Sequence, residues 1–259
     1  MSNYYLLDDP ILLQYAFYPR DEVSPCPEYA FDINVPVDED IEVSCRFFMS
    51  DSSYPTLLFF HGNGEVASDY DGIAPYFFKL AQVNLVVAEF RGYGASGGLP
   101  SFAALVADAH PLYGAVAAEL SARDYNESLW LMGRSMGSVA ALELAYHYPE
   151  DIKGLIIESG FMCAARIARR LGIPIEEPEL ELLEDECLQK ALGIKIPALI
   201  IHGDKDSLVP VVEAYNLEKE LGSEKKELLL IPGAEHNTVM MLGLEQYFAA
   251  IRDFVRDKK

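Results

Sequence analysis

From Thr56 onward the chain alternates short, unbroken apolar runs with segments of helical character, and that alternation sharply limits the folds open to it. The runs occupy residues 57–60, 85–88, 129–132, 155–157, 198–201 and 228–231. A strand with one face in water alternates apolar and polar side chains, whereas an unbroken apolar strand needs cover on both faces. Strands of this second kind separated by helices predict a mostly parallel sheet with helices on each side. The intervening segments, residues 69–82, 101–120, 136–148, 211–221 and 245–256, read as those helices. In the last of them Tyr247, Phe248, Ile251, Phe254 and Val255 fall at helical spacing, as core packing requires.

Residues 31–35 and 41–49, ahead of these runs, read differently. Ile41, Val43, Cys45 and Phe47 alternate with polar residues, the period of a sheet with one covered face, and a turn through Pro36 joins the two stretches into an antiparallel lead-in hairpin. There is no internal repeat and no low-complexity linker. The 259 residues are therefore expected to form one α/β domain, with about eight strands in its sheet.

Charge and cysteine usage narrow the partners. With 41 acidic and 20 basic residues the net charge is −21, which repels nucleic acid and anionic headgroups. No run approaches the roughly 18 apolar residues of a membrane span. The first 20 residues lack a basic leader and carry Asp8 and Asp9, a poor match to a secretory signal. Cys26, Cys45, Cys163 and Cys187 are scattered without a C-x-x-C pair or metal-ligand spacing, so reduced thiols and a cytoplasmic location are expected. No cofactor or metal is called for.

In a doubly wound sheet ligands bind beyond the carboxyl ends of the strands, so the loops after each apolar run carry the chemistry. After residue 132 comes Gly133-Arg134-Ser135-Met136-Gly137, a G-x-S-x-G at a strand-to-helix turn. Such a turn exposes the Ser135 hydroxyl as a nucleophile and puts the Met136 N–H at a helix start, where free donors favour developing negative charge. After Phe60 comes His61-Gly62-Asn63-Gly64-Glu65. Acyl transfer needs two N–H groups on the oxyanion, and the Asn63 backbone N–H is assigned as the partner of Met136, with His61 positioning the loop. Arg91-Gly92-Tyr93-Gly94-Ala95-Ser96 matches neither a P-loop nor a dinucleotide fingerprint and reads as a structural turn. After Ile201, Asp204 and Asp206 compete to orient an imidazole. After Ile231, His236 stands on a loop suited to a general base.

The order Ser135, then an acid, then His236, with Asn63 upstream, is that of the α/β-hydrolase fold. From about Phe31 to its C-terminus the chain resembles the hydrolases grouped with monoacylglycerol lipases, acyl-protein thioesterases and serine aminopeptidases. In that family the acid lies three residues after the glycine and shortly before a Val-Pro pair. The resemblance thus implies Asp206 rather than Asp204 within His202-Gly203-Asp204-Lys205-Asp206-Ser207-Leu208-Val209-Pro210. Glu89 departs from an aspartate common in the family.

The expected function is hydrolysis of a small-molecule carboxylic ester by Ser135, Asp206 and His236. Neutral thioesters and aminoacyl amides are the alternatives, and a non-catalytic ligand-binding protein is the rival from another class. Residues 161–192, where relatives insert a lid, are expected to form a short one, with an acidic solvated face. Leu180, Leu182, Leu183 and Leu188 are candidates to line a pocket from above.

Overall fold

The computed structural model describes residues 2–170, 172 and 175–256. Of the expected lid, Leu171, Ile173 and Pro174 therefore lie outside the described residues. The strands form one eight-stranded sheet in the order β1-β2-β4-β3-β5-β6-β7-β8. β1 (Ala30–Asp38) and β2 (Ile41–Phe48) make the expected antiparallel hairpin, and β2 also runs antiparallel to β4 (Asn84–Ala88). The remaining pairings, through β3 (Thr56–Phe60), β5 (Leu129–Arg134), β6 (Ile152–Glu158), β7 (Ala198–Gly203) and β8 (Lys226–Ile231), are all parallel.

The unbroken apolar runs are explained by two cores. Leu58, Phe60, Val86, Leu131, Ile157 and Ile200 point to one face, while Leu57, Phe59, Val87, Met132, Ile156 and Ile201 point to the other. α3 (Phe102–Ala122), α4 (Ser138–His147), α6 (Glu177–Gly193) and α7 (Val212–Glu220) cover the first face. α8 (Val239–Leu242) and α9 (Leu244–Arg256) cover the second. Among the described residues no helix is long and apolar enough to cross a membrane.

Two expectations need correcting. Residues 69–82 do not form one helix. They break into a 3-10 turn (Ala67–Tyr70), the short α2 (Ala74–Tyr76) and a π turn (Phe77–Ala81) ending at Gln82 with φ +58°. Gly72 and Pro75 interrupt the run, because proline supplies no N–H and fits only at a helix start. The leucines of the acidic run also differ. Leu180 and Leu183 are buried in the core beneath α6, Leu188 packs against that core, and Leu182 faces solvent. Burying a leucine is worth roughly 1.5–3 kcal/mol, so this helix spends its apolar side on the domain. α5 (Ala164–Arg170) reaches the loop that carries Asp206, through Arg170 hydrogen bonds to the carbonyls of Ser207 and Leu208.

The chain leaves β3 toward β4 on one side and returns to β5 on the other, so the sheet order reverses between β3 and β5. Ligand sites form in the crevice at such a reversal. Phe60 is in register with Gly133 there, which brings the loop after residue 60 against the loop that starts at Ser135.

Candidate active site

Ser135 leaves β5 with φ +50°, a left-handed conformation that a serine adopts only where its surroundings hold it. Close packing accounts for the flanking glycines. A Cβ on Gly137 would sit 2.0 Å from the Phe60 carbonyl oxygen, and one on Gly133 2.7 Å from the carbonyl oxygen of Gly137. Ser138 Oγ donates to the Ser135 carbonyl at 2.6 Å, which pins the turn from behind.

The structure brings three of the sequence-predicted side chains into a line. His236 Nε2 is 3.0 Å from Ser135 Oγ, and His236 Nδ1 is 2.7 Å from Asp206 Oδ2. Asp206 Oδ1 accepts the N–H groups of Leu208 and Val209 at 2.9 and 2.8 Å. With both oxygens engaged, the carboxylate cannot rotate away from the imidazole. Asp204 instead accepts the Gly233 N–H at 2.7 Å and shapes the loop that carries His236. Behind Asp206 lies His202, fully buried, donating from Nε2 to the Val209 carbonyl at 2.9 Å. Burial holds its imidazole below the ordinary range, in the neutral form.

Asn63 and Met136 lie on the two loops that meet beside Ser135. Among the described residues nothing accepts the Asn63 N–H, which leaves it available to a ligand. Its side chain has a separate task. Asn63 Oδ1 accepts the Tyr18 N–H at 2.9 Å and the Tyr93 hydroxyl at 2.6 Å, and Nδ2 donates to the Ala16 carbonyl at 2.7 Å. His61 is wholly buried, with Nδ1 2.8 Å from the Gly62 carbonyl and Nε2 3.0 Å from Glu89 Oε2. Burial pushes that imidazole down, but the Glu89 carboxylate overrides it and holds the group above the ordinary range.

Two contributors were not singled out in the sequence. Arg134, beside the nucleophile candidate, is buried and reaches four places. Nη2 donates to the His236 carbonyl at 3.2 Å and to Asn237 Oδ1 at 2.7 Å, while Nη1 pairs with Glu65 at 2.5 Å and Nε with Glu158 at 3.4 Å. Glu65 in turn accepts the Gly62 N–H at 2.7 Å, and a Cβ on Gly62 would lie 2.4 Å from Arg134 Nη1. One guanidinium therefore joins the Asn63 loop to the His236 loop. Burial pushes the Glu158 carboxyl up against the pull of Arg134 and Tyr247, whose hydroxyl donates to it at 2.7 Å. The sequence signal was an arginine ending an apolar strand, a charge that must find buried partners.

The second contributor is the segment before β1. Asp8 accepts the N–H groups of Phe102 and Ala103 at the start of α3, and Leu12 and Phe17 enter the core around α1 (Pro10–Ala16). The segment then crosses the Asn63 loop, where Arg20 donates to the Gly64 carbonyl at 3.1 Å. Leu12 and Phe17 were the hint that it packs rather than trails.

Comparison with known proteins bears on the family and the fold. The model of the family described as serine aminopeptidase, S33, matches residues 52–174 and 179–240. The protein bem46 of Schizosaccharomyces pombe is 29% identical over 221 residues, covering 80% of this chain and 69% of its own. Alpha/beta hydrolase domain-containing protein 17B of Homo sapiens is 28% identical over 218 residues, covering 82% and 70%. Among solved structures, the Pyrococcus furiosus esterase Pf2001 superposes with a TM-score of 0.71 at 19% identity, over 92% of this chain and 98% of that one.

Proposed function

This chain belongs to the serine aminopeptidase (S33) family of α/β hydrolases, and from that premise we propose that it is a serine hydrolase of carboxylic esters working through an acyl-enzyme on Ser135. The observation that carries the reading is the line from Ser135 Oγ through His236 to Asp206, at 3.0 and 2.7 Å, with the serine on a strained turn.

In this mechanism His236 Nε2 accepts the Ser135 proton as Oγ attacks the ester carbonyl carbon. The carbonyl π electrons move to the oxygen, and the N–H groups of Asn63 and Met136 hold that charge. Losing one such donor costs about 3–4 kcal/mol in transition-state stabilisation. Asp206 keeps the imidazole in the tautomer that accepts at Nε2 and supports the imidazolium. The protonated His236 then gives its proton to the leaving alkoxide as the ester C–O bond breaks. Water, deprotonated by the same nitrogen, attacks the acyl-enzyme and releases the acid and the serine.

The test is labelling with a fluorophosphonate and turnover of short p-nitrophenyl esters, wild type beside Ser135→Ala. Labelling and turnover are expected in the wild type and are expected to vanish in the variant; equal turnover in both would sink the proposal. A neutral thioester and an aminoacyl anilide run in parallel separate ester preference from its relatives.

A further inference from the structure

At the last turns of α4, on the helix that continues from the Ser135 turn, two imidazoles face one carboxylate oxygen. Glu143 Oε1 is 3.4 Å from His110 Nε2, which comes from α3, and 3.3 Å from His147 Nδ1. One ligand atom from each of the three residues can be chosen so that all lie within 4.8 Å of one another. A tetrahedral ion with bonds of about 2.1 Å has ligand-to-ligand edges of about 3.4 Å. Both carboxylate-to-imidazole separations are already at that value. We propose that His110, Glu143 and His147 bind a divalent transition-metal ion of the zinc type, tying α3 to α4.

The surroundings favour a ligand set over a chance cluster. Lys190 Nζ takes the other oxygen, Oε2, at 2.6 Å and shares its charge with Glu186 at 2.7 Å, leaving Oε1 to the two histidines. His110 Nδ1 is 2.9 Å from the Tyr148 hydroxyl. With Nδ1–H donating to that hydroxyl oxygen, Nε2 is left to the metal. His147 is the adaptable member, since Nδ1 also lies 3.0 Å from the Glu143 carbonyl and must give up that bond to coordinate.

An open cavity of 710 Å³ adjoins the cluster, lined by His110, Glu143, His147, Glu186 and Lys190 among others, and it leaves room for water as a fourth ligand. Two nitrogens to one oxygen select zinc, copper or nickel over magnesium and calcium, which take oxygen donors. Lys190 lowers affinity by its charge, so binding is expected to be moderate.

The experiment is zinc titration by calorimetry on the chelator-treated full chain, with excess magnesium present to occupy acidic surface groups. One zinc per chain and a raised Tm are expected, and cobalt substituted for zinc should give the visible absorption of a four-coordinate site. The double variant His110→Gln/His147→Gln should weaken zinc by at least about 100-fold and lose the cobalt band. His236→Ala should keep both, which separates this site from the Ser135 line. Circular dichroism on the double variant, whose histidines are partly exposed, checks its folding independently. Unchanged zinc affinity in the double variant, or no binding by the wild type, would overturn the proposal.

Discussion

Two buried histidine–carboxylate pairs stand at the carboxyl ends of neighbouring strands, and they are wired in opposite directions. His236 offers Nδ1 to Asp206 and keeps Nε2 facing Ser135. His61 offers Nε2 to Glu89 and spends Nδ1 on the carbonyl of its own neighbour, Gly62. The first pair has a nitrogen left for proton transfer; the second has none. Glu89 also accepts the Ala67 N–H at 2.7 Å, so its pair fastens the Asn63 loop to the segment that follows it. Composition alone makes the pairs equivalent, and the free nitrogen separates a candidate base from a fastener.

Removing the charge of each carboxylate is the sharpest way to break this comparison. Asp206→Asn should lower kcat for p-nitrophenyl esters by about 10⁴-fold, because the amide favours the wrong imidazole tautomer, while Tm changes little. Glu89→Gln should lower kcat by about tenfold at most. Its main effect is on stability, a loss of about 1–3 kcal/mol from an under-satisfied buried group, which for a chain of this size is a Tm fall of several degrees. Equal losses of activity at unchanged Tm would erase the distinction.

This contrast also marks how far the sequence could be read. The strands of the parallel region were legible because both faces are buried and the apolar runs are unbroken. Ser135 was legible because the sterics of its turn demand glycine on both sides. Asp206 could be told from Asp204 only through the family pattern, since a carboxylate's direction depends on which loop amides hold it. The Arg134 network was hidden for a related reason. Glu65, Glu158 and His236 lie far from Arg134 in the chain, and the parallel pairing of β5 with β3 and with β6 and the return of the last loop bring them together. Leu180 and Leu183 misled because an amphipathic helix looks the same over a pocket as over a core.

Arg134 touches the loop of one pair and, through Glu65, that of the other, so its variants test whether the two are mechanically joined. It is a positioning residue, because it contacts the carbonyl of His236 rather than the imidazole. Arg134→Lys keeps the charge but loses the planar fork. It should reduce kcat/KM by roughly 10- to 100-fold, the scale of a misplacement near 1 Å, with a smaller fall in Tm. Arg134→Met leaves Glu65 and Glu158 without their cation and should cost about 3–5 kcal/mol. A Lys variant that loses stability but keeps full turnover would reduce Arg134 to a fold element.

The smallest effect is the dependence of stability on pH, where His61 and His202 have opposite signs. The folded-state pKa of His61 is raised. Both folded and unfolded chains therefore hold its proton below about 6.5, and above that value only the folded chain does. The stability it contributes is complete in acid and is lost as pH rises through its folded pKa. His202 is held low by burial, so its contribution is present above about 6.5 and is lost as pH falls below it. Tm measured against pH should thus decline on both sides, with His61→Gln flattening the alkaline limb and His202→Gln the acid one. Glu158, whose folded pKa is also raised, sheds its contribution as pH rises from about 4.3 and is common to both variants, so it drops out of the difference. An alkaline limb unmoved by His61→Gln would show that the pair with Glu89 is neutral in the folded chain, and the contrast between the two histidines would then rest on geometry alone.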